Sequence, residues 1–446
     1  MKSKILAALL FVSCSASANM AEQGQRSEVA GINLITYRTN VKDVVVILGA
    51  LPAGDAMAAP GNIAIPTLTG MMLDRGTTAL DKFAIADQLD SVGAEISFSV
   101  GAQSLEVRAK CLKKDLPLVI GLIASQLRTP ALLAQEFDKV TQQFTGALQG
   151  SLQNTDARAQ EAFGRAIFPE GHPNRPRPIE EYLAAAKSAT LDEVKTFHAK
   201  FYGPAHLTLV LAGDVPVAQA QAEIAKDFSG WSGGQDYIRP AKPASSRGPR
   251  EVSVVLADKP SVSVILGQAT GLRYRDPGAL ALRVGTAVLG RGFTGRLMGT
   301  IRDKEGLTYN ISAGLGEDSI ADGSWDISAT FAPELLNKGI AATRRELNKW
   351  WKEGITETEL TERKQGIVGS YFVGLSTTVG LANAILTSAQ RGYDLAWLDG
   401  YPQAINALTR DQVNSAIKTH LNPSSMVLVK AGSLGAGGRD VEEDVR

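Results

Sequence analysis

Apolar and polar residues alternate along residues 105–112, L-E-V-R-A-K-C-L, the signature of a strand with one buried face. Residues 44–48 and 95–100 are strand-like as well, and Gly101-Ala102-Gln103-Ser104 reads as the turn of a hairpin joining 95–100 to 105–111. Between these runs the apolar period lengthens to that of an amphipathic helix, over residues 80–92, 115–127 and, for a longer helix, 136–152. Strands and long helices in irregular order predict an α+β fold. An antiparallel or mixed sheet covered by helices on one face fits the order.

The pattern occurs twice. Residues 190–214 read T-L-D-E-V-K-T-F-H-A-K-F-Y-G-P-A-H-L-T-L-V-L-A-G-D, and residues 409–433 read T-R-D-Q-V-N-S-A-I-K-T-H-L-N-P-S-S-M-V-L-V-K-A-G-S. The offset is 219 (409 minus 190), without gaps. Each copy has a Thr to cap a helix, an Asp in its first turn, a Gly-Pro or Asn-Pro stop and a β-branched strand. A second pair, Val46-Ile47-Leu48-Gly49 and Val264-Ile265-Leu266-Gly267, stands at offset 218. Two tandem copies of one domain are the economical reading, placed at 27–233 and 251–434. A Gly/Pro/Ser-rich linker separates them over 234–250, and a Gly-rich, then charged tail over 435–446 is expected to be disordered.

Composition narrows the class. The chain has 446 residues, too many for one ordinary core. Lys+Arg and Asp+Glu are equal at 46 each, so no basic surface invites a nucleic acid or an anionic membrane. Lys2 and Lys4 precede a short apolar run at 5–12, and Ala16-Ser17-Ala18 is a small-x-small cleavage site. Residues 1–18 therefore read as a signal peptide, too short to be a stable membrane span, with the mature chain starting near Asn19 in a bacterial periplasm. A lipoprotein anchor at Cys14 is the rival reading and the poorer match. Cleavage leaves Cys111 as the sole cysteine, a strand residue with no disulfide partner.

Chemistry is sparse. The four histidines are His172, His198, His206 and His420; no two stand at i, i+4, and none is followed by Glu. Gly290 to Gly295 fits G-x-G-x-x-G, but it follows an apolar helical run at 280–289 instead of a strand, which argues against a dinucleotide site. No Ser or Cys stands in an activating motif such as G-x-S-x-G.

Residues 64–77 read A-I-P-T-L-T-G-M-M-L-D-R-G-T. They resemble the helix of the M16 (pitrilysin and mitochondrial-processing-peptidase-like) metallopeptidases, where a run like L-A-H-L-L-E-H-M-L-F-K-G-T carries the inverted motif H-x-x-E-H. On the shared M-L-x-x-G-T ending, the two His positions fall on Thr67 and Met71, and the Glu base on Gly70. The family's distal Glu ligand, on the helix that starts Glu136-Phe137-Asp138-Lys139, falls on Gly146 or Ala147. None of these residues is a zinc ligand. The resemblance thus implies two M16-type domains without their own zinc. Gly171-His172-Pro173-Asn174-Arg175-Pro176 is similar to a structural turn of the family.

A second family motif is intact. Gly290-Arg291-Gly292-Phe293-Thr294-Gly295-Arg296-Leu297 and then Arg302-Asp303-Lys304-Glu305-Gly306-Leu307-Thr308-Tyr309 resemble G-G-G-x-x-S-R-L-x-x-x-x-R-x-K-x-G-L-x-Y. Residues 296–305 read as a helix stopped by Gly306, with Tyr309 on the next strand. In active relatives this Arg and Tyr reach substrate beside the zinc, so the resemblance gives Arg302 and Tyr309 the binding of peptide carbonyl and oxyanion. The plain alternatives are a solvated cation at a helix end and a buried strand residue, since Tyr309 is in phase with Leu307 and Ile311. The segment that holds peptide as an added strand, G-G-x-x-N-A in the family, keeps Gly93 here but has Ser97 for the Asn.

The resemblance implies a subunit that pairs, as a heterodimer, with an M16 chain bearing H-x-x-E-H. That partner would hold the zinc, and this chain would contribute Arg302 and Tyr309 toward a peptide. The alternative is a periplasmic peptide-binding or scaffolding relative that cuts nothing.

Overall fold

The computed structural model describes residues 20–58, 61–245 and 247–434. The expected signal peptide, Cys14, the expected start near Asn19 and the charged tail lie outside the described residues. The first half forms one sheet from β1 (Gly24–Val29), β2 (Ile32–Arg38), β3 (Val44–Leu51), β4 (Glu95–Val100), β5 (Leu105–Leu112) and β6 (Thr208–Gly213). The second half forms another from β7 (Arg250–Val255), β8 (Val262–Ala269), β9 (Thr308–Gly316), β10 (Ser324–Phe331) and β11 (Val427–Gly432).

The strand orders are β1-β2-β6-β3-β5-β4 and β7-β11-β8-β10-β9. Each sheet has one parallel pair, β2 with β6 and β7 with β11. Without β1 the two orders are one plan. The repeated helix is capped alike in both halves: Thr190 and Thr409 each form a capping box, with Glu193 and with Gln412. The repeat's closing glycine is also explained. Gly213 and Gly432 take φ of 143° and 154°, and a Cβ there would come within 2.1 Å of the Val44 carbonyl oxygen and 2.8 Å of that of Ser261.

One element of the repeat is corrected. The V-I-L-G coincidence at offset 218 is not the structural equivalence. Val46 and Leu48 face one side of their sheet, away from the larger core of the half, whereas Val264 and Leu266 point into theirs. Val45 and Val262 are the matching residues, an offset of 217 (262 minus 45), and both lie in those larger cores. A slip of one residue in a strand exchanges its two faces, so composition alone misaligned them.

Helices also cover more than the one face expected. Each half packs its own helices on one side of its sheet. The other side is covered by a helix from the opposite half. Thr155–Ile167 sends Phe163, Ala166 and Ile167 onto Ile265, Val429 and Ala431 of the second sheet. Thr378–Gln390 sends Leu381, Ala382 and Ile385 onto Val46, Leu48, Val210 and Ala212 of the first.

A buried polar cluster fastens the same junction. His172 Nε2 lies 3.1 Å from Asp322 Oδ1 while its Nδ1 accepts from the Asn174 amide, which fixes the ring proton on Nε2. The other Asp322 oxygen accepts from the Ala244 amide in the linker, and the Asn174 side chain donates to the carbonyls of Glu317 and Asp322. The His172 turn is therefore structural, as its resemblance implied. Among the described residues no single helix is long and apolar enough to cross a membrane.

Candidate functional site

The helix Ile65–Met72 carries the positions where the family motif would stand. Thr67 and Met71 are half-buried, and Gly70 is buried. The helix is pressed so closely on the β4–β5 hairpin that a Cβ on Gly70 would lie 2.3 Å from Val100 Cγ2 and 3.3 Å from Leu105 Cδ1. No glutamate fits there. Thr67 is used otherwise: its hydroxyl donates to Asp55 Oδ1 at 2.9 Å, and Tyr182 donates to Asp55 Oδ2 at 2.9 Å. Gly146 and Ala147 are exposed on the helix Ala134–Leu152. The residues at the ligand positions do not fit zinc. Among the described residues no group of three or more His, Cys, Asp and Glu side chains is arranged to hold a metal ion.

In the sequence Asp55 is one acid among many, with no motif around it. Burial pushes its carboxyl up to about 6, against the pull of the Thr67 and Tyr182 hydroxyls. Because the folded value lies above the unfolded one, the folded chain binds the extra proton between about pH 4 and 6. Its contribution to stability is complete below that window and lost as pH rises through it. Asp326 on β10, also raised to about 6 by burial, titrates in the same window. Asp55→Asn should therefore gain on the wild type as pH rises from 4 to 7, by roughly 1–3 kcal/mol. Thermal melts of both proteins across this range give the difference. A gap that does not change with pH would show that Asp55 is ionised throughout.

The second motif builds a site on the surface. Helical backbone runs from Arg296 only to Arg302, not to Glu305. Its last turn, Met298–Arg302, is a π turn in which Asp303 and Glu305 donate to the carbonyls of Met298 and Thr300, five residues back. The wider turn ends the helix early, and Gly306 reverses the chain at φ 64°. Arg296 anchors this turn. Its fork donates to both oxygens of Glu359 at 2.6 and 2.7 Å, and to the Gly354 carbonyl. Burial works against the Glu359 charge, but the Arg296 fork and Thr356 hold its carboxyl at about 2.

Tyr309 is not the buried strand residue that its phase allows; it is 85% exposed, although Ile311 is buried. The cause is a β-bulge. Ala329 pairs with Ile311, but Phe331 pairs with Thr308, so two steps on β10 face three on β9. Thr308 secures the extra residue by donating to the Thr330 carbonyl and accepting from the Asn310 amide. The bulge turns Tyr309 outward on an edge strand. There Arg302 meets it, with the guanidinium carbon 5.2 Å from the ring centroid. The structure thus brings Arg302 and Tyr309 together.

The glycine-rich motif adds a third member. Phe293, 74% exposed, meets Arg302 as well, with its ring centroid also 5.2 Å from the guanidinium carbon. The glycine-rich motif carrying it does follow a helix, Ala279–Gly290, which removes the dinucleotide reading. Gly290 lets that helix end touch β9, since a Cβ would lie 2.4 Å from the Ala313 nitrogen. Ser97, in the segment compared with the peptide-holding strand, is exposed on β4, an edge strand of the first sheet.

Comparisons with known proteins agree with this plan. Residues 188–367 match a family model described as the peptidase M16 inactive domain. An uncharacterized zinc protease of Streptomyces coelicolor is 26% identical over 376 residues, covering 80% of this chain and 78% of the relative. The non-peptidase homolog YmxG of Helicobacter pylori is 22% identical over 376 residues, covering 83% and 85%. The crystal structure of a peptidase M16 inactive domain from Pseudomonas fluorescens has the same fold. Its TM-score is 0.83 at 22% identity, over 93% of this chain and 99% of that one. With this strand plan, this match and ligand positions filled by Thr67, Gly70 and Met71, the chain is similar to inactive relatives of the M16 peptidase family.

Proposed function

We propose that this chain is the zinc-free subunit of a two-chain peptidase. It pairs with an M16 chain bearing H-x-x-E-H, which holds the zinc and activates water with its Glu. This chain supplies Arg302 and Tyr309 to the polypeptide in the shared site. Arg302 offers a planar fork of N–H donors to peptide oxygen, and the Tyr309 hydroxyl donates to the oxyanion that forms during attack. One observation carries the reading: the zinc positions are rebuilt for packing, while Arg302, at the end of its helical turn, meets Tyr309, which is exposed on an edge strand. The leader at residues 1–18 supports export, so the complex would work in the periplasm.

Arg302→Ala is then expected to lower turnover of the native complex about 10²-fold, the usual cost of one such donor. Recovery of the partner on a tagged chain should not change. Peptide hydrolysis by the complex purified from its own host measures both, before and after a salt wash that strips partners. Unchanged turnover in the variant would remove the role of Arg302.

The name of the Helicobacter relative, a non-peptidase homolog, favours a second reading. In it the chain binds exported polypeptide through the same edge and cuts nothing. Absence of both a zinc-bearing partner and hydrolysis in the host fraction would select it.

A further inference from the structure

Arg302 meets two aromatic rings that have separate anchors. Tyr309 belongs to β9 and is aimed by the bulge. Phe293 belongs to the glycine-rich loop, which is pinned from the helix Glu357–Leu375. Arg363 on that helix donates to the Arg291 carbonyl and to the carbonyl and hydroxyl of Thr294. Gly292 takes φ 67° between those two anchor points, a conformation that admits a side chain only under strain. The loop therefore has a set shape, and that shape carries an aromatic ring to Arg302.

A guanidinium drawn to the negative centres of aromatic rings keeps N–H donors for other acceptors. Only 29% of the Arg302 side chain is exposed, although both rings are well exposed themselves. Its one ion-pair contact among the described residues is Asp303, at 3.8 Å, too long for a hydrogen bond. The arrangement keeps N–H donors of Arg302 free.

We infer that Phe293 is a positioning residue. It packs its ring on Arg302 together with Tyr309, so that the guanidinium is held to present N–H donors to a planar oxygen acceptor of a polypeptide chain. This rests on the proposed role of Arg302 and Tyr309. A leucine of similar size would fill the space but offers no ring face, so the role requires an aromatic side chain.

The test uses the full mature chain and two readouts. The first is the affinity of a fluorescein-labelled, permanently unfolded polypeptide, reduced and carboxymethylated α-lactalbumin, by anisotropy. The second needs no ligand: the rate at which phenylglyoxal modifies Arg302, followed by peptide mass mapping, with Arg296 as internal reference because Glu359 and Gly354 occupy it. Phe293→Leu should weaken probe binding about 2–5-fold and speed modification of Arg302 without changing Arg296, while Phe293→Trp restores both. An Arg302 rate that is unchanged in Phe293→Leu overturns the positioning role. So does a raised rate with undiminished binding, when Arg302→Gln does weaken binding. If Arg302→Gln binds the probe like the wild type, the proposed function of the site falls, and the ligand-directed role of Phe293 falls with it.

Discussion

Restoring the family motif as Thr67→His, Gly70→Glu and Met71→His is expected to cost about 3–5 kcal/mol of stability and to create no tight zinc site. The cost lies at Gly70. A Cβ there already stands 2.3 Å from Val100 Cγ2. Valine is stiff at χ1, so the methyl cannot swing aside without moving β4. The rest of the glutamate would then put a carboxylate into a buried position with no donor prepared for it. The gain is small as well, because Gly146 and Ala147 offer no third ligand. Thermal melts and a zinc competition assay decide. A triple variant that melts with the wild type and binds zinc tightly would refute the packing argument. Gly70→Ala alone should cost about 1–3 kcal/mol, and Val100→Ala beside it should recover part of that.

Cut within the linker and expressed apart, the two halves are expected to be insoluble or molten; expressed together, they should form a soluble complex. The reason is the exchanged helices. Without the second half, Val46, Leu48, Val210 and Ala212 lose the cover of Leu381, Ala382 and Ile385. Without the first half, Ile265, Val429 and Ala431 lose Phe163, Ala166 and Ile167. Each large apolar side chain is worth about 1.5–3 kcal/mol when buried, so the loss on either side approaches the whole stability of a small domain, about 5–15 kcal/mol. The His172–Asp322 contact breaks in the same cut and leaves a buried carboxylate without its partner. The same physics predicts one calorimetric transition for the intact chain. Two separate transitions, or a soluble half with sharp near-ultraviolet circular dichroism, would count against interdependent halves.

Much of this architecture was legible because it is written locally. A Thr with an Asp in the turn that follows caps a helix wherever it folds, so Thr190 and Thr409 announced their helices. The hairpin of β4 and β5 was visible in its alternation and its turn. The missing zinc ligands needed only residue identities at Thr67, Gly70 and Met71. Arg302 and Tyr309 stood out through their spacing, which a short helix, a glycine reversal and a strand suffice to explain.

Other features depend on neighbours far away in sequence. Alternation said that Tyr309 was in phase with Ile311, and one extra residue in β9 reversed the face; strand period carries no mark of a bulge. Phe293 was one letter in a glycine-rich motif until the Arg363 anchors placed its ring over Arg302. Asp55 became a shifted carboxyl only where burial outweighed the two hydroxyls that bind it. The closure at Gly70 depends on Val100 across a helix–sheet contact.

The sequence by itself determined that there are two like halves, which segments are strands and helices, and that the zinc positions hold no ligand, because caps, periods and residue chemistry act over a few neighbours. Only the tertiary structure decided which sheet each helix covers and which side chains meet at Arg302. An apolar stripe states that it must be buried but not against what, and that choice is made by the contacts of the whole chain.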